Sequence, residues 1–157
     1  MTAVEALNFV QSSALAHAIG KSNHLLIASL QVLHVLGFVL LLASLVLISL
    51  RLLNCILSTQ AVPQVAAQAV RLLWLGLALA VGSGVLMFIG SPKHYFYNSA
   101  FELKMALLAA AIIFQASLFR WISTGAPAAP WLRRVSVGLS LALWFAVSMA
   151  GRAIGFV

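Results

Sequence analysis

With 157 residues, 64% of them hydrophobic and only 7% charged, the chain lies far from soluble globular proteins, in which about a quarter of residues carry charge. A mean hydropathy of +1.12 makes it an integral membrane protein. The net charge of +7 reads as a topology signal; no basic stripe with interleaved aromatics lies outside the apolar segments, which argues against nucleic-acid binding, and the lone Cys55 excludes an intrachain disulfide and a cysteine metal cluster.

Residues 1–23 lack the positive n-region of a signal peptide and precede an apolar run too long for an h-region, so the segment is expected to be retained. Val4, Leu7, Val10, Ala14 and Ala18 recur at helical spacing, predicting one amphipathic helix over residues 3–19 that lies in the membrane interface. Residues 20–23 break it.

Residues 25–50 carry no formal charge and are long enough to cross a bilayer, for which about 20 apolar residues suffice. The first span is placed at 25–53. Within it stands His34, about 14 Å along the helix, a depth at which an ionisable ring needs a partner. Gln31 lies three positions earlier, within about 60° on the helix surface. A polar loop at 54–63 ends in Pro63, a favourable helix-start residue.

The second span is placed at 64–89. Gly76, Ala80 and Gly84 fall four apart on it, a stripe that lets a neighbouring helix or a flat ligand approach the backbone. Residues 90–98 form a chemically varied loop with Lys93, His94, Tyr95 and Tyr97. Ser99 and Glu102 have capping-box spacing, so the third span is set at 99–123. The fourth is set at 131–151, where Gly138, Ala142, Ala146 and Ala150 form a second small stripe suited to packing in a bundle. The expected fold class is all-α: a single polytopic membrane domain over 1–157, with four antiparallel transmembrane helices and the short amphipathic helix.

Sorting the basic residues by side puts Arg51, Arg71, Arg120, Arg133 and Arg134 with the first and third loops, and Lys21, Lys93, Lys104 and Arg152 with the termini. Five against four makes the loops cytoplasmic and both termini periplasmic. The outer half of the bundle then gathers Gln31, His34, His94, Glu102, Lys104 and Arg152, leaving little polar in the inner half besides Gln115.

Three roles are open for His34: an interhelical hydrogen bond, a proton relay, or ligation of a metal or haem iron through one ring nitrogen while the other is oriented by a hydrogen bond. His24 is about 15 Å from His34 along one helix axis, so the two cannot be opposite ligands of one iron. His94 becomes the partner if its loop dips inward. Lys104 and Arg152 stand where haem propionates would meet them, or simply snorkel.

The stretches LQVLHVLGFVLLLASLVLISLRLL, YFYNSAFELKMALL and AGRAIGF resemble a bacterial family of small four-helix inner-membrane proteins, distantly similar to the membrane domain of copper-resistance protein D. The resemblance implies that Gln31, His34, Lys104 and Arg152 occupy family positions, and it brings no activity with it. Phe119 stands where many members have a histidine, and Met87, Met105 and Met149 make no stripe.

No HExxH, phosphate loop, Ser-His-Asp set or pair of acids within a span is present, which disfavours hydrolysis and phosphoryl transfer. The expectation is an electron carrier or binding protein of the bacterial inner membrane. It would hold haem b on His34, with His94 or His24 as the second ligand. Copper handling or transport by His34 and methionines, with His94 as a further metal candidate, or a non-catalytic role in a larger membrane complex, are the alternatives. Besides the lipid bilayer, a homo-oligomer or larger assembly is the expected partner.

Overall fold

The computed structural model describes residues 3–20, 24–57, 59–124 and 129–156. Its helices are α1 (Ala3–Gln11), α2 (Ala14–Gly20), α3 (His24–Leu52), α4 (Val62–Gly90), α5 (Pro92–Phe96), α6 (Ser99–Ser123) and α7 (Pro130–Ala153). Four of them, α3, α4, α6 and α7, are long and apolar enough to cross a membrane, and no strand occurs among the described residues.

The ends of these helices follow from local chemistry. α4 and α7 each carry a proline in the first turn, where the missing N–H is no loss. α3 closes in a Schellman motif: the Cys55 N–H reaches the Leu50 carbonyl at 2.9 Å and the Asn54 N–H reaches that of Arg51 at 3.1 Å. Asn54 takes the left-handed conformation the motif requires, at φ 58°. α6 begins at Ser99 as expected, but its cap is Asn98, whose side chain accepts the Phe101 N–H at 3.1 Å. Ser99 is therefore the first helical residue rather than the start of a capping box.

The single interfacial helix expected over 3–19 is two helices. Ser13 makes the break: its hydroxyl donates to the Val10 carbonyl at 2.7 Å and accepts the Ala16 N–H at 3.2 Å, ending α1 and capping α2. The break expected at 20–23 lies outside the described residues except for Gly20, as does Lys21.

α3 packs chiefly on α4 and α6 on α7, and the two hairpins join through α4–α6 and α3–α7 contacts. This is an up-down bundle, with α2 laid against α4. The α3–α4 crossing is unusually close: a Cβ on Gly76 would sit 2.6 Å from the Gly37 carbonyl, and one on Gly37 would sit 2.7 Å from the Ala80 nitrogen. In lipid, helices associate through such close packing rather than through expulsion of water.

The second small stripe does not serve the bundle in this way. Residues four apart drift by about 40° per step around a helix, so a stripe of four wanders by about 120°. Gly138 and Ala142 are exposed, and a Cβ on Gly138 would meet nothing within 4 Å. The face of α7 that packs is Val137, Ser140, Trp144, Val147 and Ala150.

The end of the bundle bearing the interhelix connections 53–61 and 124–129 is filled by Leu45, Ile48, Leu52, Ala69, Leu118 and Ile122. The opposite end, where α5 and both termini lie, is not filled.

Candidate functional site

Between the two hairpins, at the α5 end, lies a cavity of about 390 Å³ with walls from α3, α4, α5, α6 and α7. Its wall is largely aliphatic and aromatic. The polar exceptions are His34, Lys104, and the ring substituents of Tyr95 and Trp144.

His34 reaches the cavity because the Gly37–Gly76 contact brings α3 within hydrogen-bonding range of the α4 backbone. Nδ1 lies 2.7 Å from the Ala80 carbonyl, with Ser83 Oγ a weaker second acceptor at 3.3 Å. A carbonyl oxygen only accepts, so Nδ1 carries a proton and donates. The Ser83 hydroxyl donates in turn to the Leu79 carbonyl at 2.6 Å, which leaves its lone pairs for the imidazole. In the neutral ring this assigns the free lone pair to Nε2. Gly84 completes the arrangement: a Cβ there would lie 3.2 Å from His34 Cε1, so only the absence of a side chain seats the ring without displacement. The stripe Gly76, Ala80, Gly84 thus has three separate jobs: helix approach, hydrogen-bond acceptor and ring clearance.

Lys104 enters from α6. Its stem lies over Gly151 of α7, with Cε and Nζ at 3.4 and 3.5 Å from where a Cβ would stand. Trp144 forms the far wall. It is 1% exposed, stacks at a tilt on Phe38 with centroids 6.4 Å apart, and its indole N–H has no acceptor among the described residues. At the near end, Phe88 stacks on Phe101 at 5.6 Å and Tyr95 leans on Phe101 at 5.5 Å. Burial lifts the Tyr95 phenol above its ordinary range, so it stays protonated at neutral pH.

Of the six residues singled out from the sequence, His34 and Lys104 share the cavity wall, and four do not. Gln31 is exposed: the roughly 60° that separates it from His34 is enough to turn it outward. His24 is exposed at the start of α3. His94 is exposed on α5, its ring edge-on to Tyr95 at 5.3 Å, and it is Tyr95 that faces the cavity. Arg152 is exposed, its guanidinium 5.2 Å from the Phe156 ring centroid. A histidine pair across the cavity is therefore not assembled, and no group of three His, Cys, Asp or Glu side chains with metal-site geometry occurs among the described residues.

Residues 7–157 match the family of unknown function DUF6644. The chain belongs to that family. No curated protein and no solved structure matches it. The matched residues include all four candidate spans.

Sequence reading passed over several residues of the cavity. Tyr95 was one aromatic among several in a loop, Trp144 one of four tryptophans fit to anchor at an interface, and Met87 and Met105 made no stripe. Both methionines line the cavity. Part of this was legible by phase, since Phe101, Lys104 and Leu108 share one face of α6 at spacings of three and four.

Proposed function

We propose that the protein is a small membrane electron carrier that binds b-type haem in the cavity between its hairpins, with His34 Nε2 as axial ligand. The observation that supports this best is the 2.7 Å bond from His34 Nδ1 to the Ala80 carbonyl. A ligating histidine nearly always donates its other ring N–H to a carbonyl or carboxylate, which fixes tautomer and ring plane and raises the basicity of the ligating nitrogen. Apolar walls and a glycine beneath the ring suit a flat macrocycle. The haem supplies the one-electron chemistry when bound, and the protein's share is to bind, orient and keep water away. Because His24 and His94 lie off the cavity lining, which includes Met87 and Met105, a methionine is the better-placed second ligand.

Those two methionines also favour a second reading. One imidazole and two thioethers in the lining of one cavity are a soft set suited to copper(I), which would make the protein a copper-handling one akin to the membrane domain of copper-resistance protein D.

In both readings the cavity opens toward the periplasmic side of a bacterial inner membrane, following the excess of arginines on the opposite side. Outward apolar faces on all four spans leave room for a homo-oligomer or a larger complex. Reporter fusions at the termini and in the 53–61 connection test the orientation: active cytoplasmic reporters at the termini would reverse it.

An absorption spectrum and metal analysis of the purified protein, alongside His34→Ala, test the function. A Soret band that His34→Ala abolishes supports haem. Bound copper without a Soret band, lost in the same variant, supports the second reading. A wild-type protein carrying neither, and taking up neither on addition, overturns both.

A further inference from the structure

We infer that the cavity selects occupants bearing a carboxylate, and that Lys104 is the residue that reads it. This rests on the reading of the cavity as a ligand site and specifies which chemical class it accepts.

Among the described residues on the cavity wall, Lys104 is the only one with a formal charge. It is half-buried, and no hydrogen bond or ion pair engages it among the described residues. The chain has two acids, and neither meets it. Glu102 is two positions away on α6, hence about 200° around the helix, and is exposed; Glu5 is exposed on α1. A cation held against apolar surface within a span is costly unless an anion accompanies it. Since no described residue brings one to the cavity wall, the occupant is the source of the anion.

Snorkelling is the competing account, and the molecule offers an internal contrast. Arg152, the penultimate residue of α7, is exposed, with its guanidinium over Phe156. Lys104 instead lays its stem across α7. Cδ, Cε and Nζ run 3.4 to 3.6 Å from the position a Cβ on Gly151 would occupy, which is the distance of ordinary packing contact with α7. The stem is thereby packed between helices and the ammonium is kept at the cavity. The polar end of the occupant then sits near the bundle end, and its apolar body extends past His34 toward Phe38 and Trp144. A haem propionate satisfies this pattern, and so does the headgroup of a fatty acid.

Two probe pairs separate this inference from the haem reading. Purified protein in nanodiscs is titrated with haem and with haem dimethyl ester, followed at the Soret band. It is also titrated with cis-parinaric acid and its methyl ester, followed by fluorescence. Wild type is expected to bind the acid of a pair about tenfold more tightly than the ester, the size of one charge-assisted contact. Lys104→Met should bring that ratio near one, and Lys104→Arg should retain it. Equal binding of acid and ester by wild type overturns the inference, even where a His34-dependent Soret band leaves the haem reading intact. So does a preference that survives in a folded Lys104→Met variant. Discrimination of parinaric acid from its ester, with no uptake of haem, upholds the inference and removes the haem reading.

Discussion

The two ends of the bundle each withdraw a cation from solvent, one fully and one in part, and they treat it in opposite ways. At the end with the 53–61 connection, Arg51 is 6% exposed and fully engaged. Its Nη1 donates to Asn54 Oδ1 at 2.7 Å, its Nε to the Gln60 carbonyl at 3.0 Å, and its Nη2 to the same carbonyl. The positive charge also sits on the last turn of α3, where the helix dipole favours it. Around it the core is closed. At the α5 end Lys104 has no such partner, His34 has one nitrogen engaged and one free, and the space between them is open. A cation whose hydrogen-bonding capacity is met by backbone and neighbouring side chain holds a loop in place. On the inference drawn above, a cation with no partner among the described residues beside a cavity is one that a ligand's anion would meet. Polarity in a span does not distinguish these two cases; satisfaction of the polar group does.

That contrast can be broken most severely at the shared crossing. Gly76→Leu forces a side chain into the backbone of α3, with no flexible neighbour to yield, and is expected to cost about 3 kcal/mol or prevent folding. Thermal unfolding in mild detergent measures it. Because the same crossing delivers His34 to Ala80, any folded Gly76→Leu protein should also lose its cofactor.

Arg51→Met tests the closed end. It strands the Gln60 carbonyl and the Asn54 amide, and is expected to lower stability by about 2 to 3 kcal/mol. Cofactor content per folded molecule should be unchanged. A fall in that content would show that the two ends are coupled.

His34→Ala should do the reverse, lowering stability by only about 1 to 2 kcal/mol, the upper range for an interhelical hydrogen bond in a membrane, while abolishing the haem or copper binding proposed for the cavity. Absorbance and unfolding on one sample give both values. Smaller again is Asn98→Ala. It loses the α6 cap and the tie to the Ile154 carbonyl at 3.2 Å, and a shift of about 1 kcal/mol is expected. Least affected is Gly82→Ala, whose Cβ would meet nothing within 4 Å; a change within about 0.5 kcal/mol is expected. A large effect there would reveal a contact with another chain on this face of α4.

Much of the fold could be read from the sequence by itself, because its determinants are local. Uninterrupted apolar length set four spans, and the prolines at 63 and 130 set two helix starts. Composition made the chain a membrane protein, and the depth of His34 in an uncharged run marked it as the residue to explain. The stripe Gly76, Ala80, Gly84 marked where something approaches α4. Tertiary structure decided which sectors of each helix face inward. In water a helix announces its buried face by amphipathicity, but in lipid both faces are apolar and that signal vanishes. Gln31 and His34 could therefore share a turn and still part company. The Gly138 stripe could resemble the Gly76 stripe and yet turn outward at Gly138 and Ala142, and Tyr95 rather than its neighbour His94 could meet the cavity. Which nitrogen of His34 is free was likewise beyond the sequence, because it depends on the Ala80 carbonyl, 46 residues away, brought to 2.7 Å by two glycines that let two backbones touch.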